Sequence, residues 1–389
     1  MRNSPSILFM LPWSLSAVGG VNQVVINLAR EAAKHGRLRP IIFSMDWSRP
    51  EWQYSEVEGI QWVCGRQLSP LGHGRTLRHS IAFLSGALRE LRTWRRFLDE
   101  QNVQVVNMHY LVTSYLSMAL ASAFSGKQRR IVYSVHGSDI KYFRRAGSLH
   151  RAVARWMLKH ADRVVSCSDH LAQRTQGHLG VPAGTVRTIL NGINVAELQL
   201  CAQFDFNPFG DDAIDYLVNV ATYEEQKGQD VLLHAYRQLC DAGLQMPLVI
   251  IGRRTAYLDV LRELARSLDL QERVLFLPDL DHETTLCAIR YARALVQPSR
   301  EEAFGITLLE SGFLGTPVVA TRTGGIPEVL GEDYPFLVDV DDVAALAASI
   351  DAVLTPGEAN DDLVRRMQTR VSEQFTWARA YAEYESLWR

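Results

Sequence analysis

Two glutamates, Glu302 and Glu310, stand on either side of the turn Ala303-Phe304-Gly305. Ionised carboxylates only accept hydrogen bonds, so a pair of them in one site suits a ligand rich in hydroxyls. The amides of Gly305, Ile306 and Thr307 open the following helical pattern, where unpaired N–H groups and the helix dipole favour an anion. Lys227 precedes Gly228 and another helical run, Gln229–Cys240. A cation at a helix start opposes the dipole, a placement that makes sense if an anion sits between them; a surface pair with Glu224 or Glu225 is the bland alternative. His136, in His136-Gly137-Ser138-Asp139, could act on a reacting hydroxyl or be satisfied by a backbone partner. Gly19-Gly20 either lets a ligand approach the backbone or makes a turn needing positive φ. Together these residue types suit hydroxyl and phosphate chemistry. G-x-G-x-x-G and G-x-x-x-x-G-K-[ST] are both absent, against a dinucleotide or P-loop site. His136 with Asp139, and Cys167 with His170, form no recognised metal-ligand set.

Every one of these residues follows a short apolar run. Ile7–Leu11, Pro40–Ser44, Val103–Met108, Ile131–Val135 and Arg163–Cys167 read as buried strands, as do Tyr216–Ala221, Pro247–Ile251, Val274–Leu277, Ala294–Gln297, Pro317–Ala320 and Pro335–Val338. Helical patterns such as Arg75–Leu98 and Leu149–His160 alternate with them. That alternation predicts an α/β fold with doubly wound parallel sheets, whose ligands bind beyond the carboxyl ends of the strands. A turn-forming stretch without period, Cys201–Asp212, marks a domain boundary near 196–213.

The 389 residues are 47% hydrophobic and 22% charged, a globular composition that excludes a disordered or fibrous chain. No apolar run approaches a membrane span, and Ile7–Leu11 reads as a first strand rather than a secretion signal. Five widely spaced cysteines point to a reducing cytosol. The formal charge of −2 conceals a division. Residues 1–199 carry 25 basic and 12 acidic side chains, and 200–389 carry 16 and 31. The basic excess suits a phosphate-bearing substrate or an anionic membrane surface, and no reading motif points to nucleic acid.

The motifs, taken together, resemble glycosyltransferase family 4, the glycosyl transferases group 1. They are Gly19-Gly20, His136-Gly137-Ser138-Asp139, Asn191-Gly192-Ile193-Asn194, Lys227-Gly228, Glu302 to Glu310 and Gly324-Gly325-Ile326-Pro327-Glu328, with Phe375-Thr376-Trp377 before the last helix. The resemblance implies a GT-B fold: two facing Rossmann-like domains, 1–198 for the acceptor and 199–374 for the nucleotide sugar, with the helix of about 375–389 packing back on the first. It implies a retaining, metal-independent hexosyltransferase without cofactor, in bacterial cell-surface or exopolysaccharide synthesis. His136, Lys227 and Glu302 would be catalytic, with His136 beside the transferred sugar, Lys227 on the diphosphate and Glu302 on sugar hydroxyls. Glu310 would bind the ribose, and Gly19, Gly20, Gly305, Ile306 and Thr307 would approach the phosphates or sugar. The acceptor would be a glycan, a polyprenyl-diphosphate-linked one included, reached by a cytoplasmic protein peripheral to the inner membrane face; a sugar phosphate would also suit. Two departures stand out. Thr222 occupies the place of the family's diphosphate arginine, and Gly252-Arg253-Arg254-Thr255 replaces Gly-Asp-Gly-Pro, so Arg253 or Arg254 is expected to compensate. The alternative is a GT-B protein that binds nucleotide or glycan without turnover.

Residues 75–98 carry six arginines. Leu77, Ile81, Leu84, Leu88 and Leu91 make a helical stripe among them, expected either to pack on the first sheet or to bring a basic face to anionic lipid.

Overall fold

The computed structural model describes residues 4–14, 19–49, 51–67, 77–123, 127–182, 184–200 and 214–389. The expected boundary stretch, Cys201–Asp212, lies outside them. The chain forms two compact units, residues 1–190 with Trp377–Arg389 and residues 191–376. The first ends somewhat before the expected 198, because Asn191-Gly192-Ile193-Asn194 belongs to the second. There Ile193 forms a parallel bridge to Thr376, and its amide donates to the Phe375 carbonyl at 3.0 Å.

The first unit holds strands β1 (Ser6–Leu11), β2 (Arg39–Met45), β3 (Gln53–Val57), β4 (Ile60–Gly65), β5 (Val103–His109), β6 (Arg130–Val135), β7 (Arg163–Ser166) and β8 (Val186–Thr188). They lie in the order β3-β4-β2-β1-β5-β6-β7-β8, parallel except for the β3–β4 hairpin. β1 is buried along its whole length, as a strand covered on both faces must be. Helix Gly20–His35 buries Val24, Val25, Leu28, Ala29 and Ala32, positions spaced as one helix face. It stops at Gly36, whose φ of 67° is open to glycine and whose amide returns to the Ala32 carbonyl. The closing helix, Trp377–Trp388, packs on this unit: Tyr384 meets Ser134 at 3.1 Å, and Trp388 sits edge-on to Phe9.

The second unit holds β9 (Leu217–Val220), β10 (Leu248–Gly252), β11 (Val274–Pro278), β12 (Ala294–Gln297), β13 (Val318–Thr321) and β14 (Leu337–Val338), all parallel, in the order β11-β10-β9-β12-β13-β14. Leu217, Leu232, Tyr236, Ile250, Leu261 and Ile350 are among the residues of its core. The strand order reverses between β9 and β12, so the loops that follow these two strands leave the sheet side by side at a topological switch point.

Helix Leu77–Glu100 forms, and of its predicted stripe Leu88 is exposed and Leu91 half-buried. Leu88 is 66% exposed, while Trp94, Phe97 and Leu98 are buried. The side chains of Leu77, Ile81 and Leu84 lie outside the described residues. Trp94 packs with Phe43 and Trp52 at ring separations of 4.8 and 4.6 Å, so large aromatics fix the helix's end to the first unit. Among the described residues no helix is long and apolar enough to cross a membrane, and Cys64, Cys167, Cys240 and Cys287 are not in disulfides.

Candidate active site

Lys227 and Glu302 come from the two loops at the switch point of the second sheet. Lys227 ends a single 3-10 turn, Glu225–Lys227, after β9. Glu302 lies in the loop after β12. The Lys227 ammonium donates to a Glu302 carboxylate oxygen at 2.8 Å, with the side chains only 18% and 13% exposed. The lysine therefore pairs with Glu302 and not with its neighbours Glu224 or Glu225.

Several contacts hold this pair in place. The Arg300 and Glu301 amides both donate to the Gln226 carbonyl. The Arg300 guanidinium forks onto both Asp230 oxygens at 2.9 and 2.7 Å, reaches the Glu225 carbonyl at 2.7 Å and bonds Asp341 at 2.6 Å. That bidentate geometry is the strong form of an ion pair, and the two carboxylates hold the Arg300 pKa above its ordinary value. The hydrogen bond to Asp230 is the largest cause. Gly228 and Gly324 are required sterically as well. A Cβ on Gly228 would lie 1.9 Å from the Pro298 carbonyl oxygen, and one on Gly324 1.7 Å from that of Glu302. Both have positive φ, 66° and 57°. The Gly324-Gly325 turn thus serves the Glu302 backbone, and the Gly325 amide donates to the Glu302 carbonyl at 3.1 Å.

Gly305, at φ 100°, precedes helix Ile306–Leu314, so the amides of Ile306 and Thr307 lie in its first turn. Glu310 is in the same helix, buried. Burial pushes its carboxyl above the ordinary range; nearby His282 pulls it down and Glu197 pushes it up. The His282 Nε2 stands 3.5 Å from Glu310 and 3.7 Å from Glu197. Arg253 is 54% exposed with its nearest carboxylate, Glu224, at 3.8 Å, and Arg254 lies 3.5 Å from Asp279. Both arginines remain on the loop after β10, tied loosely to surface acids. Among the described residues no cluster of three His, Cys, Asp or Glu could hold a metal ion.

The first unit carries a second cluster at strand ends. His136 follows β6 and His109 ends β5. His109 Nδ1 and His136 Nε2 are 3.2 Å apart, with the rings stacked at 27°. Burial lowers the His136 pKa to about 3, and burial, with His136 second, holds His109 well below its ordinary value. Asp139 is the clamp beneath them. Its carboxylate accepts from the amides of Gly137 at 2.8 Å, Ile140 and Leu111 at 2.9 Å and His136 at 3.1 Å. Burial pushes its pKa up and these amides pull it back. Gly19 has φ 168°, ordinary extended backbone, so no left-handed turn requires a glycine there. A Cβ on Gly19 would meet nothing within 4 Å, which leaves open space beside the start of helix Gly20–His35. Across the β1–β5 switch point Trp13 and Tyr110 meet edge-on at 4.8 Å. Tyr110 adopts φ 67°, a costly conformation for a bulky residue and one concentrated at functional sites.

Of the residues singled out in the sequence, Lys227 pairs with Glu302, Glu310 is buried, and His136 lies against His109. His109, Arg300, His282, Trp13 and Tyr110 were not singled out. His109 could have been found as a histidine at a strand end, the signal that exposed His136.

The family model for glycosyl transferases group 1 matches residues 205–370, and that for Glycosyltransferase Family 4 matches residues 18–197. The chain belongs to glycosyltransferase family 4, and its two parallel-sheet α/β domains have the GT-B fold. N-acetyl-alpha-D-glucosaminyl L-malate synthase of Bacillus anthracis is 25% identical over 297 residues, 75% of each chain. Sucrose-phosphate synthase of Thermosynechococcus elongatus superposes with a TM-score of 0.76 at 20% identity, covering 100% of this chain and 98% of that one. Anabaena HepE, solved with UDP and glucose, gives 0.72 at 18% identity, covering 98% of each.

Proposed function

We propose that this glycosyltransferase moves a hexose from a nucleotide-diphosphate sugar to a phosphate-bearing carbohydrate acceptor, with retention at the anomeric carbon and without a metal. The observation that carries the reading is the Lys227–Glu302 pair at the switch point of the second sheet. A preformed cation and carboxylate there match the two halves of a sugar diphosphate. Lys227 takes the diphosphate and helps bear the charge that grows on the leaving group. Glu302 turns to the sugar hydroxyls. The amides of Gly305, Ile306 and Thr307 add a helix N-terminus to the anion site, and Glu310 takes the ribose hydroxyls. In the reaction the bond from the anomeric carbon to the donor phosphate oxygen breaks. The acceptor oxygen bonds to the same face, and its proton passes to the released phosphate.

His136 stands beside the transferred sugar in this reading. Trp13 and Tyr110 offer aromatic faces and edges to the acceptor's apolar side, while the basic surplus of residues 1–199 favours an acceptor carrying phosphate. Among the relatives' names, a glucosaminyl malate synthase and a sucrose-phosphate synthase agree with a small anionic acceptor, and a glycogen synthase with a glycan. A polyprenyl-diphosphate-linked glycan shares the phosphate chemistry, and the assay separates the two. UDP- and GDP-hexoses are incubated in EDTA with sugar phosphates in one arm and a polyprenyl-diphosphate glycan in the other, and the product's anomeric configuration is read by NMR. Retained configuration in EDTA is expected. Inversion, or a strict metal requirement, removes the corresponding part. Thr222, in place of the family's arginine, favours the second reading of a binding protein without turnover. Donor binding with no product in either arm would support it.

A further inference from the structure

The His109–His136 contact restricts what His136 can do. At 3.2 Å one ring nitrogen carries a proton and the other offers its lone pair. Two arrangements satisfy this. In one, His109 donates from Nδ1 to His136 Nε2, and His136 carries its own proton on Nδ1. In the other, His136 donates from Nε2, keeps a free lone pair on Nδ1, and forces the His109 proton onto Nε2. That His109 nitrogen is buried and has no hydrogen-bond partner among the described residues. The second arrangement therefore strands an N–H, the first only a lone pair, and buried donors go unpaired more rarely than buried acceptors. The His109 ring cannot turn away easily. Its carbonyl receives the Tyr115 hydroxyl at 3.1 Å, Phe9 lies against it with centroids 6.0 Å apart, and Asp139 binds the next loop through the Leu111 amide.

We propose that His109 is a positioning residue that occupies Nε2 of His136 and so presents His136 to the carbohydrate as a hydrogen-bond donor through Nδ1–H, not as a base. The inference rests on the reading of His136 as a residue beside the transferred sugar. It adds that the proton of the acceptor hydroxyl does not go to this histidine, in keeping with its transfer to the departing phosphate. The depressed basicity of both rings agrees with this.

The test uses full-length protein labelled with 15N at histidine. Ring-nitrogen shifts near neutral pH should show His136 protonated at Nδ1 and bare at Nε2, with His109 also protonated at Nδ1. A proton on His136 Nε2 overturns the proposal. His109→Phe keeps the ring volume and removes the donor. It should lower kcat about tenfold with donor KM within twofold, and leave the His136 ring as a mixture of tautomers. His109→Asn, which restores an N–H donor, should recover part of the rate. Unchanged kcat in His109→Phe, with His136→Ala impaired, overturns the role of His109 alone. Unchanged turnover in His136→Ala overturns the reading beneath it. Should His109→Phe fail to fold, the wild-type tautomer decides.

Discussion

Lys227 and Glu302, 75 residues apart in sequence, form a 2.8 Å ion pair at the point where the second sheet reverses its strand order. Without substrate the lysine's charge is already answered, so a nucleotide diphosphate must compete with Glu302 for it. Glu302→Gln removes the competitor. The variant is expected to bind UDP or GDP up to about tenfold more tightly in a calorimetric titration, since a hydrogen bond to a charged group is worth roughly 1.5–3 kcal/mol. Sugar transfer should fall by a similar factor. Weaker diphosphate binding in this variant would show that Glu302 holds the lysine in place and does not compete.

Glu310 gives the opposite signs for stability and function. Burial raises its carboxyl pKa, so the folded chain binds that proton more tightly than the unfolded one does. The stability this group supplies falls as pH rises through its raised pKa, and near neutrality the ionised form is a net cost. Glu310→Gln should therefore raise Tm at pH 7 by about 2 °C, on the scale of a 1 kcal/mol gain in a domain of this size. Donor affinity should drop about tenfold, because an amide cannot accept both ribose hydroxyls equally well. Thermal melts with and without nucleotide read both effects.

His109, buried, and His136, half-buried, should make the first unit acid-sensitive. Their folded pKa values lie below the unfolded value of about 6.5, with His136 at about 3. Stability from them is complete above that unfolded value. It declines as pH falls through the window down to the folded values, where the unfolded chain binds protons the folded chain refuses. Each proton contributes a slope of about 1.4 kcal/mol per pH unit. Urea midpoints should fall between pH 7 and pH 5, and His109→Phe should flatten the decline. An unchanged slope in that variant would assign the acid sensitivity elsewhere.

Helix Leu77–Glu100 exposes Leu88 beside Arg89, Arg92 and Arg95, which keeps a lipid-facing role open to direct measurement. Co-sedimentation with vesicles should rise with anionic lipid and fall with salt, as the attraction is screened over about 8–10 Å. Replacing Arg89 and Arg92 together by Gln should weaken it several-fold, at about 1 kcal/mol per basic residue. Equal partition to neutral and anionic vesicles, or none, would leave a soluble acceptor as the only arrangement in keeping with the site.

The sequence made eleven of the parallel strands legible because most are short apolar runs with little exposure, and the positions after them are where the candidate site residues lie; β4 and the three-residue β8, only partly buried, carried too little of that signal. The β3–β4 hairpin escaped because β3 is exposed along its length. Its only signal was Glu58-Gly59, whose φ values of 53° and 74° make the turn. At the end of the helix of residues 77–100, spacing identified a helix face without saying what covers it: Leu88 is exposed, and Trp94, Phe97 and Leu98 are in the core. Arg300 and the contact of His109 with His136 were unreadable for a different reason. Their importance lies in partners 70 and 27 residues away, and only the fold brings such pairs together.

In the proposed function Lys227 and Glu302 form the donor site of an active transferase. The most direct measurement follows the anomeric proton of UDP- and GDP-hexoses by NMR with wild type and Lys227→Ala, side by side. The wild type is expected to consume one donor class and release the nucleoside diphosphate, slowly to water alone and faster with a phosphate-bearing acceptor. Lys227→Ala should lose ten- to a hundredfold of that rate while keeping the wild-type melting profile without ligand, the loss expected from one charge-assisted hydrogen bond. Wild-type donor consumption by Lys227→Ala, or donor binding without any turnover by the wild type, would contradict the account.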